Sequence, residues 1–249
     1  MLNKVVLVSG ASRGIGAATA VKLASEGYKV AINYKQNYQA AEYVLAKIKL
    51  QGGDGALFQA DISDESAVVS LFAQIQQTLG PVSHLVNSVG VLQTQMRVEQ
   101  MDAERINAIL MQNVTPYFIC AREAIKHFKT HHDPKLCAIV NVSSAASRLG
   151  GANEYVDYAA SKGAIDSFTT GLSLELASQG IRVNAVRPGC IYTDIHKDGG
   201  EPERVDRLAS LLPLGRGGTS EEVANAITWL LSEQASYVTG SFIDLAGGK

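Results

Sequence analysis

Residues 5–26 read VVLVSGASRGIGAATAVKLASE. The apolar, β-branched run VVLVS stops abruptly at Gly10, which suits a short strand buried on both faces. Gly10, Gly14 and Gly16 then crowd a turn that Ser12, Arg13 and Ile15 complete, and the helical pattern AATAVKLASEG follows. Glycine permits a tight turn and close backbone approach. The first turn of the helix leaves N–H groups free at the positive end of its dipole. Strand, glycine turn and helix in that order make a site suited to a pyrophosphate.

The same alternation extends outward along the chain. Apolar, β-branched runs predict strands at 4–9, 29–34, 56–59, 84–87, 137–143, 182–187 and 241–245. Helical patterns occupy 15–26, 38–51, 65–79, 104–129, 155–179 and 221–231. Alternation of this kind requires right-handed crossovers, so the expected class is α/β: a seven-stranded parallel sheet with helices on both faces, in a single Rossmann-fold domain spanning 1–249. No internal repeat or linker divides the chain. The irregular stretch 193–218, with Gly199, Gly200, Pro202, Pro213 and Gly215, follows the sixth strand at the carboxyl end of the sheet, where such folds bind ligands, and is expected to form a substrate lid.

Composition narrows the partners. The 249 residues are 46% hydrophobic and 18% charged with a formal net charge of −2, which gives no basic face for nucleic acid or anionic membrane. A small-molecule partner is expected. Met1 to Gly10 lacks the basic, apolar and small-residue succession of a secretory leader, so the expected compartment is the cytoplasm. Cys120, Cys137 and Cys190 are odd in number and widely spaced, and read as reduced structural cysteines; no ligand set for a metal is evident.

The second strand ends Ala31-Ile32-Asn33-Tyr34-Lys35, without the carboxylate that would accept from both ribose hydroxyls of NAD. Lys35 and Arg13 could attract a 2′-phosphate, so NADP is expected over NAD. Asp61, beyond the third strand, could accept from an adenine amino group or start a helix. Further on, Tyr158 and Lys162 are four residues apart and share a helix face. Bringing a phenol of pKa about 10 into use near neutrality takes a shift of roughly three units, about 4 kcal/mol. An ammonium about 4 Å away at an effective dielectric of about 20 supplies that much. Ser143 and Ser144 leave the fifth strand at the same sheet edge, with Ser144 the favoured register. Pro116 cannot donate to the carbonyl of Gln112, which predicts a kink beside Asn113.

With the glycine turn, Asn87-Ser88-Val89-Gly90, Asn113, Ser144, Tyr158, Lys162, Pro188-Gly189 and a terminal VTGSFIDLAGG in this order, the chain resembles the short-chain dehydrogenase/reductase family over nearly its whole length. The resemblance implies a carbonyl/secondary-alcohol oxidoreductase in which Tyr158 is the general acid, Lys162 lowers its pKa and holds the ribose, Ser144 positions the carbonyl oxygen and Asn113 supports a proton relay. It also implies that Pro188, Gly189, Ile191 and Thr193 clamp the carboxamide end, and that Asn33, Tyr34, Lys35, Asp61, Ile62, Asn87 and Gly90 surround the rest of the dinucleotide. A homotetramer, or a homodimer, is implied by the C-terminal signature. The motifs do not separate 3-oxoacyl-[acyl-carrier-protein] reductases from sugar or steroid dehydrogenases; Lys126, Lys129 and Lys135 could dock a carrier protein, but Gln179 stands where those reductases often have a basic residue. A non-catalytic NADP(H)-sensing or scaffold protein is the alternative of a different class.

Overall fold

The computed structural model describes residues 4–249; Met1, Leu2 and Asn3, part of the stretch read for a leader, lie outside the described residues. The strands are β1 (Val5–Val8), β2 (Lys29–Tyr34), β3 (Asp54–Gln59), β4 (His84–Asn87), β5 (Ala138–Val142), β6 (Arg182–Pro188) and β7 (Phe242–Leu245). They form one parallel sheet, as the alternation predicts, and its strand order is β3-β2-β1-β4-β5-β6-β7. Parallel strands cannot be joined by hairpins, so each crossover carries a helix onto a face of the sheet.

Side-chain alternation in β1 shows how both faces close. Val6 and Val8 pack into a core with Leu23 of α1 (Gly14–Ser25), Ile48 of α2 (Tyr38–Leu50) and Ile227 of α10 (Ser220–Leu231). Val5 and Leu7 point the opposite way, into a core with Phe72 of α3 (Glu65–Thr78), Phe128 of α5 (Thr115–His131) and Leu176 of α7 (Val156–Ala177). The strands are therefore continuously apolar because both faces are covered.

The single helical stretch expected over 104–129 is instead two helices. α4 (Ala103–Asn113) ends at Val114, whose φ of −116° and ψ of −57° break the helix, and α5 restarts with Pro116 in its first turn. Proline is tolerated there because the first N–H groups of a helix have no internal acceptor. Three short helices fill the carboxyl-edge loops: α6 (Ala146–Leu149), α8 (Ile195–Asp198) and α9 (Arg204–Ala209). The chain runs outward from β1 to β3, then returns to place β4 on the other side of β1. That reversal opens a crevice beyond the carboxyl ends of β1 and β4. Among the described residues, no helix is long and apolar enough to cross a membrane.

His84 at the start of β4 is buried against the edge of Tyr28, with Nδ1 2.8 Å from Ser83 Oγ. Burial, with smaller contributions from neighbouring cations, lowers its pKa to about 3. The unfolded chain therefore takes up a proton below about pH 6.5 that the folded chain refuses until about pH 3, so stability falls as pH drops through this window. Between pH 7 and 5 the loss amounts to about 2 kcal/mol. His84→Gln should flatten this part of the stability profile, read as a smaller difference in Tm between the two pH values than in the wild type.

Candidate active site

The glycine turn has the backbone shape its spacing predicts. Gly10 and Gly14 have φ of +62° and +54°, a region that L side chains rarely adopt. A Cβ on Gly16 would lie 2.5 Å from the carbonyl oxygen of Gly10, which is backbone and cannot swing aside. The turn is thus packed too closely for any side chain at that point, and α1 starts with no side-chain cap on its N–H groups. An anion can satisfy those donors. Gly16→Val should weaken binding of a dinucleotide at least tenfold and lower Tm, because the turn must open to admit the branched side chain. Calorimetric titration with NADPH, alongside a melting curve, measures both effects.

The crevice is a cavity of about 970 Å³ running from this turn to Tyr158. Of the residues singled out from sequence, Gly10, Ser12, Arg13, Gly14, Ile15, Gly16, Asn33, Tyr34, Lys35, Asp61, Ile62, Gly90, Ser144, Tyr158, Lys162, Pro188, Gly189, Ile191 and Thr193 line it. Asn87 and Asn113 do not; both are buried and work on the backbone or on neighbouring side chains. Asn87 Nδ2 donates to Asn141 Oδ1 at 3.0 Å across the β4–β5 pair. Asn113 Oδ1 accepts from Val91 N at 2.8 Å, and its Nδ2 donates to Val91 O at 3.1 Å and to Ser161 Oγ at 3.2 Å. Asn113 therefore fastens the loop after β4 to the helix that carries Tyr158.

At the β2 end of the cavity both cations have carboxylate partners. Arg13 pairs with Asp198 of α8, and Lys35 Nζ lies 2.7 Å from Asp61 Oδ2. Burial pushes the Asp61 carboxyl up, but the bonds from Lys35 and Ser63 outweigh it and leave the carboxyl below its usual range. Asp61 does not start α3; Asp64 caps that helix by accepting from Ala67 N. Asn33 faces inward as a brace, accepting from Gly10 N at 3.4 Å and donating to Ala60 O at 3.1 Å.

At the other end, the two serines after β5 divide their work. Ser143 is buried and donates to Asp166 Oδ1 at 2.6 Å, which takes it out of the chemistry. Ser144 is on the cavity wall, and its hydroxyl accepts from Ala146 N at 3.1 Å. Lys162 Nζ is 2% exposed by residue and is held by Val142 O at 2.9 Å, Tyr117 Oη at 3.1 Å and Val89 O at 3.5 Å. It lies 5.7 Å from the centre of the Tyr158 ring.

The expected depression of the Tyr158 pKa is not what these surroundings produce. Burial raises the phenol to about 12, with the Ser144 hydroxyl opposing the rise. Burial also lowers Lys162 to about 7, against the pull of Asp166. The physical reason is common to both: each charged form loses water, and an ammonium that is itself half neutral near pH 7 supplies less than a full positive charge. Here Tyr158 is a protonated acid at neutral pH and Lys162 is the group that titrates.

Four residues went unread in the sequence. Tyr117, fully buried, supports the ammonium of Lys162; only its position beside Pro116 at the helix break hinted at a role. Arg105 Nε meets Asp157 Oδ2 at 2.8 Å, and Asp157 Oδ1 accepts from Tyr158 N at 2.8 Å, which anchors the first turn of α7. Asp166, four residues after Lys162, binds Ser143 and Arg187 together, and that spacing was legible. Leu149, Tyr155, Cys190 and His196 also line the cavity.

The 193–218 stretch folds over the cavity as α8 and α9. Its ends are stapled, with Tyr192 N donating to Gly218 O at 3.0 Å and Gly218 N to Cys190 O at 2.9 Å. Arg204 on α9 pairs with Glu154, and Tyr155 Oη donates to Gly199 O at 3.3 Å.

Residues 10–249 match the model of a family described as Enoyl-(Acyl carrier protein) reductase. The chain is 62% identical over 245 residues to the uncharacterized oxidoreductase YgfF of Escherichia coli K12, covering 98% of this chain and 99% of that protein. It is 36% identical over 247 residues to 3beta-hydroxysteroid dehydrogenase 1 of Eggerthella lenta, covering 99% and 93% of the two chains. Among solved structures, a short-chain dehydrogenase from Burkholderia cenocepacia J2315 in complex with NADP matches with a TM-score of 0.89 at 29% identity, covering 99% of this chain and 97% of that one.

Proposed function

Because this chain belongs to the short-chain dehydrogenase/reductase family, we propose that it is an NADP(H)-dependent oxidoreductase interconverting a carbonyl and a secondary alcohol, with Tyr158 as the general acid and base. The observation that carries the reading is the meeting of Ser144, Tyr158 and Lys162 on the wall of the same cavity whose far end is the glycine turn. The close packing at Gly16 and the uncapped N–H groups of α1 fit a dinucleotide. The turn of Gly10 to Gly16 would hold its pyrophosphate, Arg13 and Lys35 a 2′-phosphate, and Pro188, Gly189, Ile191 and Thr193 its carboxamide end. Bound there, the cofactor supplies or accepts the hydride.

The protein's own part is positioning and proton transfer. Ser144 and Tyr158 direct hydroxyls at one carbonyl oxygen, and Tyr158, kept protonated by burial, gives its proton to that oxygen. Lys162, lowered to about 7, is poised to replenish it. Alcohol oxidation needs the phenolate, so its rate should rise from pH 7 to pH 10, whereas carbonyl reduction holds level or declines. Initial rates in both directions over that range test the assignment; oxidation that slows as pH rises would count against it.

The cations at the β2 end, with no carboxylate on that strand's last turn, support NADP over NAD. Apolar lining from Leu92, Leu149, Leu208 and Leu212 supports a hydrophobic ketone. Lys129 and Lys135 lie at the amino edge of the sheet, where α5 ends and β5 begins, away from the cavity mouth. That argues against their guiding a carrier protein to it. The reading takes the chain as one domain with 193–218 as its lid, and as a cytoplasmic homotetramer. The partly exposed edge strand β7 and the three free cysteines are in keeping with it.

The test is NADPH and NADH oxidation at 340 nm across ketones, aldehydes, diketones and 3-oxoacyl thioesters. Faster turnover with NADPH is expected, and the best carbonyl names the substrate class. Preference for NADH would overturn the cofactor assignment. Tight NADPH binding with no turnover would favour a sensing protein.

A further inference from the structure

Arg13 is the one cation of the glycine turn, yet its guanidinium is already engaged by Asp198 at the end of α8. The pair links two ends of the molecule: Arg13 precedes α1 in the cofactor half, and Asp198 belongs to the segment that folds over the cavity. Other side-chain attachments of that segment run to the substrate side, among them Glu201 to Gln95, Arg204 to Glu154 and Gly199 to Tyr155. Among the described residues, Arg13 is the only side chain that bonds the Asp198 carboxylate. Asp61, the partner of Lys35, is different. It also accepts from Ser63 N at 3.0 Å and Ser63 Oγ at 2.6 Å, so it can release Lys35 without moving.

We propose that Asp198 sets cofactor discrimination, because a 2′-phosphate and this carboxylate compete for the Arg13 guanidinium, so that a 2′-phosphorylated cofactor takes Arg13 and releases α8 while an unphosphorylated one leaves it held. The inference rests on the NADP reading of the cavity. The competition favours the phosphate. Arg13 and Asp198 side chains are 46% and 39% exposed, and an ion pair so open to water is weak. A phosphate brings more charge and accepts two parallel bonds from a guanidinium. The cost of displacing Asp198 is subtracted from the phosphate's affinity, which makes Asp198 a brake on NADP preference as well as a tie on the lid. Loosening α8 would act on the substrate half, since His196 of the same helix contacts Ile191 O at 3.0 Å and lines the cavity.

Two adenosine probes test this without turnover: adenosine 2′,5′-bisphosphate, which carries the 2′-phosphate, and 5′-AMP, which lacks it. Each is titrated calorimetrically into the wild-type chain and into Asp198→Asn, and amide hydrogen exchange is followed over 195–209. The bisphosphate should bind the wild type more tightly than 5′-AMP. Asp198→Asn should strengthen the bisphosphate alone by roughly three- to tenfold, through loss of an exposed pair and of a like charge. In the wild type, exchange over 195–209 should quicken with the bisphosphate and not with 5′-AMP. If the bisphosphate binds the wild type no better than 5′-AMP, the NADP reading fails and takes the proposal with it. If the bisphosphate does bind better, but neither Asp198→Asn nor the exchange over 195–209 responds, the NADP reading stands and the competition is overturned. The exchange measurement needs no variant, so a poorly folded Asp198→Asn leaves the decision intact.

Discussion

Tyr158→Phe lowers kcat for carbonyl reduction by about two to four orders of magnitude and leaves NADPH affinity within about threefold, the range expected for loss of a positioned general acid. In the proposed reaction the Tyr158 phenol donates the proton to the reacting oxygen. Its pKa, raised to about 12 by burial, keeps it protonated throughout the neutral range. Phenylalanine retains the ring and removes only the hydroxyl, so the packing of α7 on the cavity wall should survive. The anchors of that helix also survive, because Asp157 still accepts from the backbone N–H of residue 158 and still pairs with Arg105. The measurement is single-turnover reduction under saturating NADPH, with affinity read from NADPH fluorescence. Turnover within tenfold of wild type would assign the acid elsewhere.

Lys162→Met lowers kcat by about two to three orders of magnitude, comparable to removing one preorganised donor from an active site. It also alters stability in a pH-dependent way. The native Lys162 pKa of about 7 lies below its ordinary value of 10.5, so the unfolded chain holds a proton that the folded chain gives up between those limits. The desolvation cost of the ammonium is therefore fully present below about pH 7 and shrinks as pH rises toward 10.5. Methionine carries no such charge. Val142 O keeps Tyr117 Oη at 2.8 Å as a partner, which limits the cost of the exchange. Relative to wild type, the variant's Tm should be more favourable at pH 6 than at pH 9. A difference in Tm that does not vary with pH would show that Lys162 is not titrating in this range.

The parts of the molecule legible in sequence are those set by local periodicity. VVLVS, HLVN and AIVNV are strands because both of their faces are buried, and the parallel order follows from the helices between them. The Gly10 to Gly16 turn was legible because its spacing and backbone demands are local. Pro116 gave the break in the 104–129 stretch, but local rules did not say that the break would be complete enough to separate two helices. What escaped were partnerships over long distances in the chain. Arg13 reads as a free cation until Asp198, 185 residues later, is brought onto it. Likewise Tyr158 and Lys162 were legible as neighbours, but the direction of their pKa shifts was not. That direction depends on how much water three other elements exclude.

The most direct measurement is transfer of deuterium from NADPH dideuterated at nicotinamide C4 to the carbonyl that wild-type enzyme reduces fastest, followed by mass spectrometry and NMR of the alcohol. One deuterium is expected on the carbinol carbon, formed at a rate that collapses in Tyr158→Phe. Oxidation of the labelled NADPH with no deuterium in the alcohol, or labelled alcohol formed equally fast by Tyr158→Phe, would contradict the proposed reaction.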